Sequence, residues 1–182
     1  MVENSQQLSD RYDEHGYFVI RNYFDEAQIA SLRKVVLKFH ESWKADNEEF
    51  YQEEAFNSSL ITGSEYLPAD DRTVLFDFIS SKQVMDVVDA VIPNKPAFMN
   101  TQLFFNPVNP QQKDFWHRDC QYDYDIDDQM KVIMETQVLH LRVPLFDEPG
   151  MELIPGTHKR WDNEEAVSYT HLEPTRPRLI AY

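Results

Sequence analysis

Cysteine is nearly absent: Cys120 stands alone, so no disulfide can form within the chain and a disulfide-stapled fold is excluded. A chain with one free thiol suits a reducing compartment, and the cytoplasm is the expected location. No apolar run approaches the ~18 residues of a membrane-spanning helix, and residues 1–6 carry neither the basic nor the apolar region of a signal peptide, so no membrane partner is expected. Basic residues are also scarce. Against 32 Asp and Glu there are 17 Lys and Arg, a formal net charge of −15, and a field of that sign repels polyanions; nucleic acid is not an expected partner. Only 4 glycines and 10 prolines occur, while aromatics make up 13%, which fits a packed globular domain better than a disordered one. A length of 182 residues corresponds to one domain with a single sizeable core.

Helical signals dominate the first half. Residues 6–15 read as a short polar helix stopped by Gly16, and Tyr17-Phe18-Val19-Ile20 then reads as a buried strand of aromatic and β-branched residues. Asp25 followed by Gln28 has the spacing of a capping box, and Ile29, Leu32, Val36, Phe39 and Trp43 recur on one face at helical period, so a long helix lying on a sheet is expected. His40 falls beside this stripe, where a hydrogen-bonded core or boundary histidine is favoured over a metal ligand. Between residues 45 and 72 acidic side chains alternate with Phe50, Tyr51, Phe56 and Tyr66, which predicts a long loop with short helical turns, either a binding loop or a solvated excursion. Residues 81–92 form a second amphipathic helix, with Val84, Val87, Val88 and Val91 inward and Pro93 ending it.

After Pro96 the period changes to that of strands. In residues 98–105 Asn100 and Gln102 share one face, and inward-facing polar groups there would need a polar ligand. Residues 109–114 are a turn-rich loop, and residues 123–128 are an acidic one that lacks the spacing of a calcium loop. Residues 137–145 alternate as a strand, with Leu139, Leu141, Val143 and Leu145 on one face and His140 and Arg142 on the other. His140 and Arg142 could line a site on that face, or His140 could be a surface cross-strand residue. Strands punctuated by turns, after early helices, predict a mainly β fold with N-terminal helices, a jelly roll or related double-sheet barrel.

The chemistry concentrates in Phe115-Trp116-His117-Arg118-Asp119. In an extended segment the i, i+2 spacing places His117 and Asp119 on the same face, where imidazole and carboxylate can converge on one ion. A His and a carboxylate, completed by a second His, form the facial triad of non-haem Fe(II) oxygenases, with positions left open for cosubstrate and oxygen.

Four segments in this order resemble the phytanoyl-CoA dioxygenase family of Fe(II)- and 2-oxoglutarate-dependent oxygenases. They are His15-Gly16-Tyr17-Phe18-Val19-Ile20-Arg21-Asn22 with its helix, Asn100-Thr101-Gln102-Leu103, Trp116-His117-Arg118-Asp119, and Ile154-Pro155-Gly156-Thr157-His158-Lys159. The resemblance implies a double-stranded β-helix, jelly-roll or cupin-like, with His117 and Asp119 as iron ligands and Gln102 against the 2-oxoglutarate. It also implies a small-molecule substrate, molecular oxygen as co-reactant, and a structural rather than metal-binding role for His158. Relatives act on acyl thioesters, free amino acids and natural products.

The end of the chain departs from the family pattern. A second iron His and a downstream Arg for the distal carboxylate of 2-oxoglutarate should follow the Pro-Gly-Thr-His turn, and no segment here matches them. Val167-Ser168-Tyr169-Thr170-His171-Leu172-Glu173-Pro174-Thr175-Arg176-Pro177 looks instead like the adapter-derived tails of fragmentary reading frames. Residues 1–166 are therefore expected to be the N-terminal portion of a single oxygenase domain, incomplete at its C-terminal side, and residues 167–182 a non-native or disordered tail. On that reading the chain as written is inactive; the rival is that His171 and Arg176 replace the missing groups. A reading from another class is a non-catalytic or merely metal-binding cupin-like barrel.

Overall fold

Helix α2 (Glu26–Asp46) follows directly from its sequence: the Asp25 side chain accepts from Gln28 N, the Gln28 side chain accepts from Asp25 N, and the closed capping box starts the helix at the expected place. The computed structural model describes residues 4–92, 94–112, 116–119, 124–133, 138–160 and 178–179. It divides into two units that interleave along the chain, one of Met1–Ile20, Asp86–Pro96 and Lys113–Tyr182, the other of Arg21–Met85 and Ala97–Gln112.

The second of these units is built on α2. Its apolar stripe buries Leu32, Val35, Val36, Phe39 and Trp43, and its packing partner is another helix, α4 (Ala69–Ile79), which contributes the buried Leu75. An ion pair between Lys38 and Asp71 links the two helices. Each large side chain buried here contributes about 1.5–3 kcal/mol. Between α2 and α4 run the short α3 (Glu48–Glu53) and the strand β1 (Asn57–Ser59), which pairs antiparallel with β2 (Gln102–Phe104) in the register Asn57 to Phe104. His40 packs against the rings of Trp43, Tyr51 and Phe105, and its Nδ1 is buried without a hydrogen-bond partner. Burial lowers its pKa. It is a boundary histidine of the aromatic core.

In the other unit, α1 (Ser5–His15) is closed at its start by an Asn4–Gln7 capping box and at its end by Gly16, left-handed at φ +80°, whose N–H bonds Tyr12 O. From Asp86 on, the helix α5 (Lys82–Val91) belongs to this unit and supplies buried Val87, while its first residues, with buried Val84, belong to the unit of α2. Next come β3 (Trp116–His117), α6 (Ile126–Val132), β4 (Glu152–Leu153), a 3-10 turn at Thr157–Lys159, and β5 (Arg178–Leu179). The three short strands form a parallel sheet in the order β3, β5, β4, with His117 and Leu153 both opposite Leu179.

This architecture corrects the expected mainly β double-stranded β-helix: helix dominates the described residues, and no described strand exceeds three residues. The physical reason is that alternation signals only a half-buried ribbon and does not supply a pairing partner. Tyr17 to Ile20 is irregular with Val19 57% exposed, and the segment 138–144 is irregular with Leu141 41% exposed. Of residues 98–105 only Gln102–Phe104 pair. Two acidic stretches read as loops are helix starts instead. Asp70 and Asp71 occupy the first turn of α4, and Asp125 caps α6 by accepting from Asp128 N, both favourable placements against the helix dipole. Of the tail at 167–182, only Arg178 and Leu179 are among the described residues, and they are paired; His171 and Arg176 lie outside them.

Candidate metal centre

His117 ends strand β3 and Asp119 follows two residues on. His117 Nε2 lies 3.4 Å from Asp119 Oδ1, and both side chains are largely but not fully covered, at 19% and 30% exposure. Two ligands bound at right angles to one first-row ion at ~2.1 Å stand ~3 Å apart, so this edge is close to what a metal requires. A third group reaches the same carboxylate: His140 Nε2 lies 3.2 Å from Asp119 Oδ2. Among the described residues no group of three His, Cys, Asp or Glu is arranged to hold one ion. The residues present therefore fit a divalent ion at two corners of its coordination shell.

The residue between the two candidate ligands holds them in place. Arg118 is 3% exposed. Its Nη1 donates to Thr157 O at 2.7 Å and its Nη2 to Arg160 O at 3.2 Å, so the guanidinium fork ties the His-x-Asp backbone to the Pro-Gly-Thr-His turn. The turn is itself fastened to the end of α1. Gly156 N–H donates to His15 O at 2.9 Å, His158 Nε2–H donates to Asp13 O at 3.0 Å, and Lys159 pairs with the Asp13 carboxylate. That carboxylate is held below its usual range, chiefly by the Lys159 hydrogen bond. Two carbonyls that the last turn of a helix leaves unsatisfied are thus bonded by residues far along the sequence. His158 is 7% exposed against Tyr12, its Nδ1 has no partner, and burial lowers its pKa. It is a helix-end latch, and Arg118 is a buried tie that composition and spacing did not single out: nothing local distinguishes a buried fork from a solvated Arg.

The remaining candidates are placed differently. Arg142 forms a bidentate pair with Glu148, at 2.9 to 3.0 Å, six residues on across the turn. Gln102 belongs to the unit built on α2, where its exposed side-chain amide donates to Ser59 Oγ at 3.3 Å. Ser59 lines an open cleft of about 440 Å³ walled by Trp43 and Tyr66, within the segment read as a binding loop or an excursion.

A family model described as phytanoyl-CoA dioxygenase (PhyH) matches residues 12–177. The chain belongs to this family. Members of the phytanoyl-CoA dioxygenase family are in general Fe(II)- and 2-oxoglutarate-dependent oxygenases, which take a small molecule and oxygen as reactants. No curated protein and no solved structure matches the chain. Among the described residues no helix is long and apolar enough to cross a membrane.

Proposed function

We propose that the chain carries the iron-binding motif of a 2-oxoglutarate-dependent dioxygenase that hydroxylates a small organic substrate, with His117 and Asp119 as the two ligands it contributes. The observation that supports this reading most is the convergence of His117 Nε2 on Asp119 Oδ1 at 3.4 Å, inside a chain of this family. When bound, Fe(II) supplies the redox chemistry by which substrate C–H, 2-oxoglutarate and O2 become substrate C–OH, succinate and CO2. The protein's part is position. His117 presents Nε2, Asp119 presents one carboxylate oxygen, and Arg118 keeps both on one face by holding the backbone between them to residues 157 and 160. Gln102 is the proposed contact for 2-oxoglutarate on the family resemblance, and its amide can donate to a carboxylate. His140 is proposed to line the metal site and Arg142 its periphery.

Because no described residue completes a three-ligand set, metal affinity is expected to be low and turnover by the chain as written below detection. The reading is tested by anaerobic titration of Fe(II) with and without 2-oxoglutarate, followed by the visible absorbance of their complex. The cosubstrate should tighten metal binding, and His117→Ala or Asp119→Ala should abolish it. Equal binding by the Asp119→Ala protein would refute the assignment and favour a non-catalytic protein without this centre.

A further inference from the structure

Asp119 has two carboxylate oxygens, and each meets a different imidazole: Oδ1 faces His117 Nε2 at 3.4 Å and Oδ2 faces His140 Nε2 at 3.2 Å. The two histidines are not equivalent. His117 is tied to Asp119 by the chain itself, two residues away on a backbone clamped through Arg118. His140 comes from the irregular segment 138–144 of the same unit and is half exposed, at 51%. Since each ring addresses its own oxygen, and no three described ligand groups surround one point, His140 does not complete a metal-binding set with the other two.

We propose that His140 is a positioning residue for the metal ligand: its Nε2–H donates to Asp119 Oδ2 and thereby leaves Oδ1, the oxygen beside His117, as the metal-binding edge. This rests on the reading of His117 and Asp119 as metal ligands. A carboxylate turns freely about its terminal torsion, which has a broad, two-fold profile, so an Asp held only by its backbone presents either oxygen, or both. A donor on one oxygen removes that freedom before the ion arrives. It also lowers the charge on the outer oxygen, which favours binding through one oxygen over binding through two. Groups that orient ligands in this way typically carry a 10–100-fold share of metal affinity.

The test uses Mn(II) alone as the probe, with the free ion counted by its EPR signal in titrations of the full chain. The variants are His140→Ala, His140→Gln and His140→Asn, each checked by circular dichroism for the parent's helix content. Glutamine places an amide N–H where Nε2 sits; asparagine carries the same amide but falls short of Asp119. The inference predicts roughly 10–100-fold weaker binding for alanine and asparagine, and glutamine within about threefold of the parent. The contrast between the two amides stands even if the alanine variant does not fold. Alanine and asparagine variants that bind as tightly as the parent overturn the inference. So does a glutamine variant as weak as asparagine, which would mean that the imidazole itself binds the ion. A parent that binds no Mn(II), or an Asp119→Ala protein that binds it equally well, overturns the ligand assignment and the inference with it; those outcomes are read from proteins that retain His140, so the two failures are distinguishable.

Discussion

Gly16 stands where two demands meet, and replacing it by alanine tests the latch between α1 and the Pro-Gly-Thr-His turn. Its φ of +80° lies in the left-handed region, which costs an L-residue roughly 1–2 kcal/mol. A Cβ there would also lie 2.5 Å from His158 Nδ1 and 2.7 Å from His158 Cγ, so the ring must move. Moving it breaks the His158 bond to Asp13 O, a further ~0.5–1.5 kcal/mol. Gly16→Ala should therefore cost about 2–3 kcal/mol, measured by urea unfolding followed by circular dichroism. In a His158→Ala background the collision is gone and only the conformational cost of ~1–2 kcal/mol should remain, so the cycle should return a coupling of about 1 kcal/mol. An equal cost in both backgrounds would show that the two residues do not touch. A cost below about 0.5 kcal/mol in the parent would remove the left-handed cap as well.

Phe39 is 1% exposed in the aromatic core, so Phe39→Ala should lose about 3–5 kcal/mol in the same assay. Arg118→Met keeps the buried stem but removes both bonds to the 157–160 turn; it should destabilise the protein by about 1.5–3 kcal/mol and weaken Mn(II) binding, whereas a variant equal to the parent in both would deny the clamp. The pKa values of His40 and His158 are both lowered, with burial as the first cause, so folding favours their neutral forms. Their contribution is fully present above the unfolded value of 6.5 and is lost as pH falls from there toward the depressed folded values. Denaturant midpoints should decline across that window, and His158→Gln, which keeps a donor for Asp13 O, should flatten the decline. Burial raises the Tyr12 pKa from 10.0 to about 12, which has the opposite sign: stability is present below 10.0 and lost as pH rises toward 12, and Tyr12→Phe should remove that loss.

What could be read from the sequence was whatever is decided locally. The start of α2 is set by Asp25 and Gln28 and its buried face by a 3.6-residue period, and both need only neighbouring residues. Gly16 as a helix stop is local in the same sense. The start of α4 was obscured because Asp70 and Asp71, favourable at a helix N-terminus, look like loop residues when the helix behind them has a weak apolar stripe with one buried residue, Leu75. Alternation overstates strand because a ladder depends on a partner from elsewhere in the chain, and the segment 138–144 has none among the described residues. The candidate site divides the same way. The approach of His117 to Asp119 follows from an i, i+2 spacing, while the meeting of His140 with the other oxygen of Asp119 and the capture of Arg142 by Glu148 depend on how the chain turns back.

Crystals soaked anaerobically in Fe(II) and 2-oxoglutarate would show, through anomalous scattering at the iron absorption edge, whether His117 and Asp119 hold iron. One peak is expected within bonding distance of His117 Nε2 and Asp119 Oδ1, with His140 still on Oδ2. A peak bonded to neither His117 nor Asp119, or one bonded to His140 in place of His117, would contradict that assignment.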